Sequence, residues 1–150
     1  MVKFFFVTLV CLFQFWEAED DLLFTINYRS PYGCSHQVAI KENGEGLIVI
    51  GRESNYDNKE LIFEQIIKKE RFKVDNKDLG VLEELVLSIS VPLTKAAVND
   101  GFRYSLLADC NKLIDVYGES PVVINEISTI LNNYYSFEID YFCEGYLDIL

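Results

Sequence analysis

The residues of this chain most able to do chemistry sit in Ser30-Pro31-Tyr32-Gly33-Cys34-Ser35-His36. The stretch holds the only histidine, two residues from a cysteine. In an extended backbone Cys34 and His36 point to the same side. A thiolate beside an imidazole is the arrangement of a cysteine nucleophile. That chemistry also needs an orienting group and an oxyanion hole, and neither can be read from the neighbouring residues. A structural zinc site wants four Cys or His ligands, and no CxxC pair seeds one. Pro31 and Gly33 are turn residues. The reading adopted is a turn beside an inert or bridged cysteine, with no catalytic residue, metal or cofactor assigned.

Carboxylates offer no clearer site. Glu83 and Glu84 are adjacent on a helical pattern and point in different directions. Asp109 and Asn111 flank Cys110 as turn residues. The "ENGEG" run at 42–46 lacks the ligand spacing of a calcium loop. Nucleotide-binding, hydrolase and zinc-protease motifs are absent from the sequence.

Four cysteines are present, Cys11, Cys34, Cys110 and Cys143. The first lies in "MVKFFFVTLVCLFQFWEAEDD", where Lys3 precedes an apolar run from Phe4 to Trp16. The run is shorter than the roughly 20 residues of a membrane-spanning helix. It fits the core of a secretory signal, with Ala18 as the candidate cleavage residue. The expected organisation is a signal peptide over 1–18 and a single α+β domain over 19–150, exported to the periplasm or secreted. Lipid anchoring through Cys11 and a cytoplasmic protein with a buried first strand are the alternatives. After cleavage Cys34, Cys110 and Cys143 are the disulfide candidates, one pair bridged and one thiol over. The sequence leaves the pairing open among them.

The formal net charge is −11, and losing residues 1–18 removes Lys3 and Glu17 without changing it. Such a charge repels phosphate backbones and anionic lipid, so nucleic-acid binding and stable membrane insertion are not expected. A basic protein is the partner this charge would steer. Nine tyrosines add amphipathic contact area. The densest run is "NNYYSFEIDYFCEGY", which makes Tyr134, Tyr135, Tyr141, Tyr146, Asp140 and Glu144 the candidate partner-binding residues. The expected role is a small acidic non-catalytic binding protein, an inhibitor or immunity-type partner of a secreted protein. The alternatives are a small enzyme assembled around Cys34 and His36, or a structural envelope-associated domain.

The elements that must position these residues follow from periodicity. Period-two alternation predicts strands at Leu22–Arg29, His36–Lys41 and Gly46–Glu53, with Asn43-Gly44 turning the hairpin. A further strand is expected over Leu61–Ile67, where the basic cluster interrupts it, and Phe72 and Val74 extend it or begin another. Asp75 and Asp78 open a helix over 76–90, ended by Pro92. Phe102–Ala108 and Lys112–Gly118 form a second hairpin. Ser120 is the expected cap of a second helix, with Pro121 at its first position, and Phe137–Phe142 a last strand. Leu79, Leu82, Leu85, Val86 and Ile89 map onto Ile124, Ile127, Ile130, Leu131 and Tyr134 by an offset of 45. The expected fold is a two-layer antiparallel sheet with two amphipathic helices packed on one face.

Overall fold

A computed structural model describes residues 21–57, 60–95, 101–109 and 111–136. Among the described residues the chain is an α+β fold of seven strands and two helices. The strands are β1 (Leu22–Arg29), β2 (Ser35–Lys41), β3 (Glu45–Glu53), β4 (Phe63–Lys73), β5 (Leu93–Thr94), β6 (Arg103–Ala108) and β7 (Asn111–Tyr117). Helix α1 (Asn76–Leu87) follows β4, and α2 (Val122–Leu131) follows β7. The sheet order is β4-β3-β2-β1-β6-β7-β5, which puts β1 in the middle.

Three short-range signals build the sheet as expected. At the β2–β3 turn Gly44 has φ +83° and its N–H donates to the Lys41 carbonyl at 2.8 Å. A side chain at Gly44 would also meet the Val74 carbonyl at 2.8 Å, so close approach adds to the need for glycine. Asn43 contributes through its side chain, which accepts from the Glu45 N–H. At the β6–β7 tip Asp109 takes φ +50°, a left-handed conformation that aspartate tolerates.

The alternation of β1 sorts its residues onto two faces. Phe24, Ile26 and Tyr28 join a cluster with Val38, Ile40, Ile48, Ile50, Leu106, Ile114 and Val116. Leu79, Leu82 and Val86 of α1 and Ile124, Ile127 and Leu131 of α2 belong to the same cluster. These are equivalent positions under the offset of 45. The half-buried Leu85 and Ile130 also correspond, as do Ile89 and Tyr134. The helices run antiparallel, because α1 leaves the Lys73 end of the sheet and α2 leaves the Tyr117 end. A bond from the Tyr134 hydroxyl to Asp78 Oδ2 (2.6 Å) fixes their register. Tyr28 ties the sheet to α2. Ser128 Oγ donates to the Ile124 carbonyl, so the Tyr28 hydroxyl donates to Ser128 Oγ at 2.5 Å.

Four expectations are corrected. The sheet is not wholly antiparallel, since β5 pairs parallel with β7 through Leu93 and Ile114. Only two residues long, β5 gives no periodic signal. The fourth strand runs unbroken to Lys73, because a solvent-facing edge strand accepts the charged run Lys68–Lys73. The first helix ends at Leu87, short of Ser90. Ser120 does not cap α2. Pro121 occupies that position with no side-chain bond, and its carbonyl accepts from Asn125. Asp75 does cap α1, accepting from the Asp78 N–H at 2.8 Å, and that bond holds its carboxyl below the ordinary carboxylate value. The expected last strand over 137–142 and the signal over 1–18 lie outside the described residues.

Leu82 is fully buried, whereas Leu87 at the end of the same helix is exposed. Leu82→Ala should therefore cost about 2–5 kcal/mol in urea unfolding, while Leu87→Ala should stay within about 0.5 kcal/mol. Equal costs would mean that α1 packs through a different face.

Candidate functional site

The stretch from Ser30 to His36 is a structural corner. Ser35 Oγ accepts from the Ser30 N–H at 3.1 Å, and Ser30 Oγ accepts from the Tyr32 N–H at 3.2 Å. Ser35 in turn donates to Glu53 Oε1 at 2.5 Å, tying the corner to the end of β3. Cys34 and His36 are each 0% exposed. Cys34 belongs to the hydrophobic cluster, and His36 lies between its strand partners Tyr28 and Ile50. The sequence brings the two side chains to one face, and folding places both beneath the surface.

The concentration of polar chemistry lies on the other face of the sheet. Thr25, Asn27 and Arg29 alternate with the apolar residues of β1 and are themselves buried. Gln37 Nε2 donates to Asn27 Oδ1 at 2.9 Å, and Asn27 Nδ2 donates to Ser105 Oγ at 3.1 Å. This ladder crosses β2, β1 and β6.

Beside the ladder stand two arginines directly opposite each other, Arg29 on β1 and Arg103 on β6. Like charges at such a cross-strand position repel. Each is neutralised by its own carboxylate. Arg29, only 2% exposed, donates from Nε to Glu53 Oε2 at 3.0 Å and from Nη2 to the same oxygen at 2.5 Å. It also donates to the Tyr56 carbonyl at 2.9 Å, and the Tyr56 ring covers it at 5.3 Å. Arg103 grips Asp115 with two bonds of 2.8 and 2.9 Å, and the Tyr117 ring covers it at 5.0 Å. Lys112 reaches the same carboxylate at 3.2 Å.

The electrostatics follow the pairing. Burial pushes the Asp115 carboxyl up, but the Arg103 bond and charge, with Lys112, outweigh it and leave it below the ordinary value. The bond to Asp115 raises Arg103, which stays charged. Burial and the neighbouring Tyr117 push the Tyr56 phenol up to about 12, so it remains a donor and holds the Gly101 carbonyl at 2.5 Å. Burial likewise raises Tyr28.

This array can fix strands and exclude water. Among the described residues no three His, Cys, Asp or Glu side chains gather in a metal-binding group. Sequence reading missed the two arginine–carboxylate pairs. The only trace is the row Thr25, Asn27, Arg29, which reads as a solvated face until both sides of β1 prove buried.

Of the partner-binding candidates, Tyr135 is buried. It packs on Phe72 at 5.6 Å and bonds Asn132 Oδ1 at 2.6 Å. Tyr134 bonds Asp78, which pushes its phenol well above the ordinary value. Tyr141, Tyr146, Asp140, Glu144, Cys110 and Cys143 lie outside the described residues. No helix among the described residues is long and apolar enough to cross a membrane. Family models, curated proteins and solved structures were compared with the chain, and none matches it.

Two outcomes are expected for the array. Glu53→Gln strands a buried guanidinium and should cost about 3–5 kcal/mol. Adding Arg29→Met to it should recover much of that loss, and a strictly additive double variant would contradict the pairing. Asp115 has a lowered folded value, so its contribution is present above the unfolded value of about 3.9. That contribution is lost as pH falls through the folded value. The stability gap between the wild type and Asp115→Asn should therefore be open at pH 7 and closed near pH 2, read by urea unfolding at each pH.

Proposed function

We propose that this chain is a small acidic, exported, non-catalytic binding protein of the inhibitor or immunity type, whose partner is another protein. We also read the sheet and the two helices as a two-layer domain, with both helices on the face that carries the hydrophobic cluster. The observation that carries the binding reading is an apolar rim at one end of the helices. Leu87 is 81% exposed, Val91 73% and Val122 73%. The antiparallel course brings the Leu87 end of α1 toward the Val122 end of α2. The last turn of α1, the segment after it and the first turn of α2 thus expose aliphatic side chains at one end of the helices. Exposed Glu84, Glu119 and Glu126 accompany them. Aliphatic anchors ringed by acids suit a protein surface with an apolar patch and basic surroundings.

Such a surface combines short-range anchoring with long-range steering. The charge of −11 speeds encounter with a basic partner, and salt weakens that attraction. A nucleophile must meet its substrate, and full burial of Cys34 and His36 weighs against the enzyme alternative.

The test is affinity capture with the wild type and with Leu87→Asp/Val122→Asp, at low and high salt. The wild type should retain a discrete protein partner, with association slowing as salt rises. The variant should fold, judged by its unfolding transition, and lose at least tenfold in affinity. A folded variant that binds as the wild type does would move the interface elsewhere. No specific partner at either salt would remove the binding reading.

A further inference from the structure

We propose that the outer stripe of α1, from Gly80 to Leu87, seats a basic amphipathic helix of the partner protein. The proposal rests on the binding reading above and adds to it the shape and charge of what binds. It starts from a glycine that the chain itself does not need. Gly80 lies in the interior of α1. Among the described residues the glycines with positive φ are Gly44 and Gly118, so no special backbone conformation calls for glycine at 80. Packing inside the chain does not call for it either. A side chain at Gly46 or Gly51 would run into Phe72 or the Gln65 carbonyl, whereas one at Gly80 meets nothing within 4 Å. Glycine in a helix interior is destabilising relative to alanine, because it loses more conformational freedom on folding. The chain thus carries a weakened helix at a point where the backbone of α1 is open from outside. With no Cβ in the way, another helix can approach that backbone closely.

The residues around Gly80 complete the stripe. With 3.6 residues per turn, Gly80, Glu84 and Leu87 fall within about 60° of one another around the axis. The buried positions Leu79, Leu82 and Val86 occupy the other side. Glu84 is exposed, Leu87 is 81% exposed, and Val81 beside them is 40% exposed. Gly80 is therefore a notch, and Leu87 a knob two turns further on, about 10 Å along the axis. A helix that docks on such a face uses anchors at i, i+3, i+4 and i+7. Exposed Val91 and Val122 extend the apolar surface past the end of α1.

Charge decides which helix fits. Glu83 and Glu84 accompany the stripe and Glu119 and Glu126 the Val122 end, against the cations Lys77 and Lys95. Lysines or arginines beside an aliphatic stripe complement that excess of acids. A second copy would set acids against acids. A strand is also the poorer occupant. The sheet edge that follows α1 in the chain, β5, has two residues, and Pro92 before it has no N–H to offer.

The full chain is titrated with three synthetic peptides. One is an alanine–lysine helix with leucines at i, i+3, i+4 and i+7. The second has the same composition with its leucines spread around the helix. The third alternates lysine and valine as a strand. The first should bind at least tenfold more tightly than the others, and more weakly as salt rises. Gly80→Ala should raise the Tm by roughly 2–5 °C. Gly80→Leu should keep or raise it, since leucine is the better helix former, and should bind the first peptide at least tenfold more weakly. A variant at least as stable that binds less marks an external seat. Equal binding of the three peptides overturns the proposal, as does Gly80→Leu binding like the wild type. A lower Tm in Gly80→Ala overturns it too, because the glycine then serves the chain itself. Self-association of the wild type that Gly80→Leu abolishes makes a second copy the occupant and also overturns it. Should Gly80→Leu fail to fold, the ranking of the peptides on the wild type and the Tm of Gly80→Ala decide. The captured partner separates the proposal from the reading it rests on. A partner lost by Leu87→Asp/Val122→Asp but kept by Gly80→Leu removes the helix seat alone. A partner kept by both variants removes the binding surface with it.

Discussion

The structure turns on a guanidinium that has no access to water. Arg29 stands in the central strand with neighbours on both edges and cover on its face, and burying such a charge unpaired is prohibitive. Glu53 must therefore lie where it does, which fixes the end of β3. Ser35 must bond the same carboxylate, which fixes the start of β2. Tyr56 must turn back over the arginine, which fixes the loop after β3. One ion pair thus sets the positions of three segments that hydrophobic burial alone would leave loosely defined. Hydrophobic contacts are non-directional, whereas a bidentate guanidinium pair is directional.

Arg103 repeats the solution one strand over, with Asp115 for Glu53 and Tyr117 for Tyr56. Two adjacent guanidiniums would repel if either pair were broken. Each carboxylate therefore serves its own arginine and also shields the neighbouring one. The ladder of Gln37, Asn27 and Ser105 continues this constraint across the strands. A slip of one residue in β1 would exchange its polar row with Phe24, Ile26 and Tyr28 and break both faces at once. The polar face specifies register, and the apolar face supplies the burial that holds the helices.

Much of the apolar face was legible in the sequence, and little of the polar one. The helices announced themselves through Leu79, Leu82 and Val86 and through Ile124, Ile127 and Leu131, and these six are the buried helical positions. Asn43-Gly44 marked its hairpin because positive φ has few tolerant residues. Periodicity carries no information on whether a polar row will be covered, so nothing in the alternation set Arg29 and Arg103 apart from solvated residues. Leu93–Thr94 was too short to register as a strand. Ser120 misled because a serine before a proline resembles a cap, while the fold needed only Pro121. The pair Cys34 and His36 was visible as a spacing, but spacing along a strand fixes the face and not the depth.

Depth decides what the chain offers a partner. The groups with chemical potential, Cys34, His36 and the two arginine pairs, are spent on holding the sheet together. What reaches solvent at the end of the helices is aliphatic and acidic, as at Leu87, Val91, Val122 and Glu84. Aliphatic side chains left in water cost the chain little individually, but Leu87, Val91 and Val122 together leave apolar surface whose burial is favourable only against another surface. The acids around it disfavour pairing with a second copy of the same rim, because like charges would face each other. The proposed binding role draws on this combination, which suits a partner of opposite charge. A scaffold fixed by directional ion pairs is suited to present such a rim without paying further ordering entropy on binding.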